Sequence, residues 1–142
     1  MTKQQAITIC GSMSFEPKMT ALGVSLERQG FKVYLPETDE TNTESQSGNI
    51  EELKLKKRQY INNHLQNIKA SNLLLIANFE KKSIPGYIGA STLMEAAFGY
   101  SLAIPVILLN YPGEQNCQLE ILSVASNILA GDISEFTSKI VR

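Results

Sequence analysis

Glu95 is the only charged residue between Lys82 and Glu114. It stands within Leu93-Met94-Glu95-Ala96-Ala97-Phe98-Gly99-Tyr100, a segment whose other side chains read as core. An ionised carboxylate in such a setting must find donors or partners, because uncompensated desolvation is costly and drives its pKa upward. Behind a turn containing Gly, Ser and Thr, at the start of a helix, the acid is placed like a catalytic nucleophile. The positive end of the helix dipole would keep it ionised. The run Thr92-Leu93-Met94-Glu95 equally fits a capping box, with Thr92 as N-cap and Glu95 reaching back to its amide. Spacing alone leaves both readings open.

Other residues able to do chemistry are few. The Gly11-Ser12 turn offers backbone amides and a hydroxyl that could hold a phosphate near a helix start. A serine-capped turn explains it as well. It matches neither the dinucleotide fingerprint nor a P-loop, so both of those binding modes are disfavoured. His64 is the single histidine; it has no obvious partner in the sequence and reads as a surface or structural residue. Cys10 closes an apolar run and reads as a small buried hydrophobe. Cys117 lies far along the chain, and with no metal-ligand spacing neither a disulfide framework nor a zinc site is expected. The run Lys54-Leu55-Lys56-Lys57-Arg58 reads as a solvated helix face. Asp132 after Gly131, with Glu135 following, reads as one more helix start.

At 142 residues and 43% hydrophobic, the chain suits one globular domain, residues 1–142, with a sizeable core. A formal net charge of −1, without a concentrated Lys/Arg surface, argues against nucleic acid as a partner. Met1-Thr2-Lys3-Gln4-Gln5 leads straight into a strand-like segment, so no signal peptide is expected. The apolar stretch from Leu93 to Leu109 is interrupted by Glu95, Gly99, Tyr100 and Pro105, which argues against a membrane helix. A cytoplasmic protein with no membrane partner is the expectation.

The elements that must position these groups alternate. Ala6-Ile7-Thr8-Ile9-Cys10 predicts a strand. A helix follows from about Glu16 to Gln29, with Met19, Leu22 and Leu26 on one face and Gly30 as its stop. Phe31 to Leu35 alternates like a strand. Glu37 to Asn49 is polar and aperiodic, a candidate mobile loop or lid. A long helix is predicted over Ile50–Ala70, then a continuously apolar strand over Asn72–Ala77, the type buried on both faces. The helix holding Glu95, a strand over Pro105–Leu109, a further helix, a short strand near Ile128-Leu129 and a last helix after Gly131 complete the order.

Strand and helix in alternation, with apolar central strands, predict an α/β fold. It is a doubly wound five-stranded parallel sheet in three α/β/α layers, flavodoxin-like and Rossmann-like in the general sense. Such sheets bind ligands beyond the carboxyl ends of their strands. The loop after Cys10, the loop after Ala77 and the start of the Glu95 helix should therefore converge.

Two segments also carry a family likeness: Ile9-Cys10-Gly11-Ser12-Met13, and Gly86 through Tyr100 with Glu95 followed by Gly99-Tyr100. Together they resemble the nucleoside 2-deoxyribosyltransferase-like superfamily, which includes deoxynucleoside monophosphate N-glycosidases. The resemblance implies a flavodoxin-like fold and a homo-oligomer acting on a small-molecule nucleoside or nucleotide, with no cofactor or metal. It implies Glu95 as the nucleophile that attacks the anomeric carbon. Ser12, Ser91 and Thr92 would hold a sugar hydroxyl or 5′-phosphate, Asn78 would face the departing base, and Gly11, Met13, Gly86, Tyr87 and Gly89 would complete the substrate pocket. The loop from Glu37 to Asn49 would close over it.

The chain departs from the family pattern where Asn78 and Gly89 stand in place of acids, and where Ile9 and Cys10 stand in place of a pocket-shaping aromatic. The first turn also lacks an Arg for phosphate. An amide cannot act as a general acid, so transfer between nucleosides is harder to support than hydrolysis of a nucleotide. The alternative is a non-catalytic nucleotide-binding module or oligomeric subunit. There Glu95 would cap its helix while Met94, Phe98 and Leu102 served an interface. A flavin carrier is disfavoured, since the first loop lacks a Ser/Thr/Gly run and the chain has no Trp.

Overall fold

The computed structural model describes residues 4–38, 49–134 and 136. Five strands run in the order β2-β1-β3-β4-β5, all pairings parallel. They are β1 Ala6–Cys10, β2 Lys32–Tyr34, β3 Leu73–Ile76, β4 Val106–Leu108 and β5 Asn127–Ile128. The helices between them are α1 Glu16–Arg28, α2 Ile50–Lys69, α3 Ala90–Ser101 and α4 Gln118–Val124. This is the flavodoxin-like strand order predicted above. Both neighbours of β1 are parallel to it, and the order reverses between β1 and β3, so a crevice opens at their carboxyl ends.

Strand alternation builds two cores. On one face Ile7, Ile9 and Leu75 pack with Met19 and Leu26 of α1 and with Phe136. On the other, Cys10, Leu74, Ile76, Val106 and Leu108 pack with Ile68 of α2, Ala96 of α3 and Ile121 of α4. That division gives the three layers. It also sends Thr8 and Cys10 toward α2, where Thr8 Oγ1 meets Ser71 Oγ at 2.6 Å and Cys10 meets His64.

Helix ends fall where local chemistry sets them. Gly30 stops α1 at a φ of 99°, with the Phe31 amide donating to the Leu26 carbonyl at 3.1 Å, the left-handed exit that glycine adopts without strain. Asn49 caps α2, its side chain accepting from the Glu51 and Glu52 amides at 2.7 and 3.1 Å, so two orphan amides of the first turn are satisfied.

Most of the polar loop (residues 39–48), Glu135 and the segment after residue 136 lie outside the described residues, and with them the expected lid and last helix. Asp132 does behave as a turn-starting residue, accepting from the Ser134 amide at 2.8 Å and the Ser134 hydroxyl at 2.9 Å. Among the described residues, no helix is long and apolar enough to cross a membrane. Met94 and Leu102 are exposed, while Phe98 is half-buried against the α3 core.

Candidate active site

The helix that carries Glu95 begins earlier than the capping-box spacing suggests. Gly89 is its N-cap and makes no side-chain capping bond. Thr92 lies inside the first turn and is 3% exposed. Glu95 therefore sits in the second turn of α3, and the capping-box reading is wrong. Thr92, Ala96 and Gly99 are the buried positions of the helix, so Thr92 turns inward as a helical residue instead of capping the end. A carboxylate in the second turn feels the helix dipole less than one in the first. Its environment must be set by its neighbours.

Those neighbours come from two other elements. His64 Nε2 of α2 lies 3.6 Å from Glu95 Oε2 and 3.4 Å from Cys10 Sγ at the end of β1. His64 is 5% exposed and Cys10 fully buried, while the Glu95 side chain is 14% exposed. The surface reading of His64 is overturned. The long helix of which it forms part presents a polar face to solvent, but His64 and Ile68 are its buried positions, four apart and therefore on one stripe. Cys10 is buried as expected, yet it is more than a space-filler because its thiol adjoins two ionisable groups.

Burial pulls the His64 pKa down to about 4, against a weaker upward pull from Glu37. The imidazole is thus neutral at neutral pH, and its contact with Glu95 is a polar approach between a neutral ring and a carboxylate. Burial pushes the Cys10 thiol well above its ordinary value, with the Glu95 charge and a hydrogen bond to Glu95 adding to the effect. The thiol stays protonated and serves the carboxylate as a donor. His64 Nδ1 is buried without a hydrogen-bond partner among the described residues.

Glu95 and His64 line a cavity of about 580 Å³ at the carboxyl edge of the sheet, within the range that small-molecule sites occupy. The predicted convergence holds. Gly11, Ser12 and Met13 after β1 line this cavity, as do Tyr87, Gly89, Ser91 and Thr92 around the start of α3. Pro36, Glu37 and Thr38 after β2 close another side, and Lys57, Tyr60 and Ile61 of α2 line it beside His64. Lys57 thus leaves the solvated face assigned to its basic run.

Lys81 carries no sequence pattern that marks it as a site residue. It reaches back from the loop after β3, its Nζ donating to Ser12 Oγ at 2.9 Å and standing 5.3 Å from the centre of the Tyr87 ring. Ser12 also accepts from the Ser14 amide at 3.4 Å. The Ser14 hydroxyl lies 2.9 Å from that of Ser12, so one ammonium and two hydroxyls meet at one end of the cavity, with the Glu95 carboxylate also on its wall. No sequence spacing links Lys81 to Ser12, because the approach is made by β1 and β3 lying side by side.

Two expected pocket residues stand behind its wall. Asn78 is 1% exposed and does not line the cavity. Its Nδ2 donates to the Asn110 carbonyl at 2.7 Å, and its Oδ1 accepts from the Asn110 amide at 2.9 Å. Asn110 Nδ2 donates in return to the Asn78 carbonyl at 3.0 Å. This reciprocal pair ties the loop after β3 to the loop after β4. Gly86 lies in the same layer at a φ of 61°, where a Cβ would strike the Tyr111 carbonyl oxygen. Gln115 completes the brace, donating to the Gly86 carbonyl at 3.1 Å and accepting from the Ile88 amide at 2.9 Å. These residues fix the path of the segment that delivers Tyr87 and Gly89 to the cavity.

No family model matches the sequence, and no curated protein does. A solved structure of a 2-deoxyribosyltransferase from the psychrotolerant bacterium Bacillus psychrosaccharolyticus does match in three dimensions. Its TM-score is 0.68 over 96% of this chain and 93% of that one, at 18% sequence identity. At that identity the likeness establishes a shared fold.

Proposed function

We propose that the chain cleaves the N-glycosidic bond of a deoxynucleoside or its 5′-monophosphate through Glu95. The observation that carries this reading is the carboxylate itself: partly exposed, on the wall of a cavity of small-molecule size, and at a helix position where it performs no capping task. The fold shared with a 2-deoxyribosyltransferase supports the same class of chemistry.

In this mechanism a Glu95 oxygen attacks the anomeric carbon. The bond to the base breaks, and the base leaves with the electron pair and takes up a proton. The result is a glycosyl ester on Glu95, as in retaining glycoside chemistry. Water then attacks the same carbon, its proton is released and the carboxylate is regenerated. A second base in place of water would give transfer. The Cys10 thiol and His64 hold the carboxylate in place, one by hydrogen bond and the other at 3.6 Å. Their part is to restrict it to the attacking orientation, where a well-placed nucleophile gains most over a free one.

Lys81 with Ser12 is the natural seat for a 5′-phosphate, the charge-assisted donor that the missing Arg would otherwise supply. Ser91 sits near the amino end of α3, whose amides favour an anion. Hydrolysis of a monophosphate is accordingly the preferred form of the reaction. With Asn78 committed to the main chain, it supplies no proton to the base.

The test is intact-protein mass spectrometry after rapid acid quench with deoxynucleoside 5′-monophosphates. An added mass of one deoxyribose phosphate on wild type, mapped to the Glu95 peptide and absent from Glu95→Gln, is the expected result. Base release without any adduct on that peptide would sink the covalent mechanism.

A further inference from the structure

We propose that Cys10, His64 and Glu95 form a binding site for a zinc-class divalent cation. The three donors come from three elements, β1, α2 and α3, and their ligand atoms all lie within 4.8 Å of one another. The glycosidase chemistry uses the thiol and the imidazole only to steady the carboxylate, a task that does not call for this particular set of donors. A borderline-soft metal ion does use that set, since thiolate and imidazole favour zinc over magnesium or calcium.

Two of the three spacings fit as well as the types. Zinc–ligand lengths of roughly 2.0 to 2.3 Å at tetrahedral angles place neighbouring ligand atoms about 3.3 to 3.6 Å apart. The Nε2–Sγ and Nε2–Oε2 separations are 3.4 and 3.6 Å. The third pair, Cys10 and Glu95, lies within 4.8 Å, and side-chain rotation of Glu95 would close it around an ion. His64 and Glu95 line the cavity, which gives the ion its path of entry and leaves one side of it to water. Three protein ligands with a remaining open position is the pattern of zinc sites that exchange ligands.

The histidine is compatible with such a site. His64 is buried, and its Nδ1 has no partner among the described residues. Either tautomer of the free ring leaves that atom unsatisfied. Turning the Nε2 lone pair onto a metal ion therefore creates no new buried orphan. In the binding step the Cys10 S–H bond is replaced by a sulfur–metal bond, the proton leaves to solvent, and no electrons are transferred.

Occupation would engage Glu95 Oε2, and so would silence the carboxylate as a nucleophile. That consequence rests on the proposed function; the binding site does not. Zinc would then act as a reversible stop on the reaction.

The experiment titrates chelator-treated, tag-free protein with Zn2+ in competition with a chromophoric chelator, and in parallel with Co2+ followed by absorption. We expect one ion per chain and a thiolate-to-cobalt band in the near ultraviolet. Cys10→Ser should abolish the band, and His64→Ala should weaken zinc by about 100-fold or more, as loss of a ligand from a three-residue site does. Cys117→Ser, which changes the other thiol, should leave both readouts intact. Far-ultraviolet circular dichroism confirms that each variant is folded; if Cys10→Ser is not, Cys10→Ala and His64→Asn replace it. Equal zinc affinity in wild type and folded Cys10 variants would overturn the proposal. Tight zinc binding by a protein that releases no base would uphold the site and count against the glycosidase alone. Base release unaffected by saturating zinc would remove Glu95 from the ligand set and overturn the site as stated.

Discussion

Replacing Asn78 by aspartate is expected to destabilise the protein at neutral pH without creating a general acid. The side chain is 1% exposed. Its Oδ1 already accepts from the Asn110 amide at 2.9 Å, and an aspartate would keep that bond. Its Nδ2 points at two carbonyl oxygens, of Asn110 at 2.7 Å and Gly86 at 3.5 Å. A carboxylate oxygen there would face acceptors and lose the donor. Gly86 retains Gln115 as a donor, whereas the Asn110 carbonyl loses the partner seen here.

One unsatisfied buried carbonyl and one uncompensated buried charge amount to about 3 to 5 kcal/mol. For a chain of this size that lowers the melting temperature by roughly 10 to 17 °C. The new carboxyl would have its pKa raised in the folded state, so the folded protein binds more protons than the unfolded one. Stability then rises as pH falls, and the gap to wild type should narrow between about pH 7 and pH 5. Urea denaturation at both pH values is the assay. A variant within about 0.5 kcal/mol of wild type at pH 7, and faster at releasing base, would refute the argument and return Asn78 to the pocket.

Further outcomes follow from the same structure. Gly86→Ala is expected to lose about 2 to 4 kcal/mol by denaturant titration, because the residue holds a φ of 61° and abuts the Tyr111 carbonyl; an unchanged midpoint would contradict it. Lys81→Met should raise KM for 5′-monophosphates by about 10- to 100-fold, the worth of one charge-assisted contact, while nucleosides without phosphate are unaffected. Equal effects on both would mean that Lys81 supports the loop instead. His64, with a pKa lowered to about 4, binds a proton more readily unfolded than folded. It should therefore withdraw up to about 3 kcal/mol of stability as pH falls from 6.5 to 4. Comparing the pH slopes of wild type and His64→Asn measures this, and identical slopes would refute it.

The architecture was legible because each element announced itself locally. Apolar β1 and β3, the Gly30 stop and the stripe through Met19 and Leu26 determine strand, helix and their faces without tertiary information. The convergence at the sheet edge followed from topology. The chemistry around Glu95 was only half legible. Glu95 stood out by charge alone, and so its neighbourhood could be sought.

Cys10, His64 and Lys81 could not be paired with it, since their meeting depends on β1, α2 and the loop after β3 lying side by side. One signal was available for His64: it sits four residues before Ile68, on the buried stripe of α2. The capping box misled because Thr-x-x-Glu fits locally at Thr92, while the helix starts at Ala90 and buries Thr92 within its first turn. Asn78 misled in the opposite sense, being adjacent to the site in sequence but turned to the main chain behind it.

The most direct test of the account is release of free base from a panel of deoxynucleosides and their 5′-monophosphates, separated by chromatography, with wild type and Glu95→Gln compared in zinc-free buffer. Wild type is expected to release base, fastest from a monophosphate, and the folded variant to lose at least about 1000-fold, as removal of a covalent nucleophile entails. Release undiminished in Glu95→Gln, or none from a folded wild type across the panel, would contradict it.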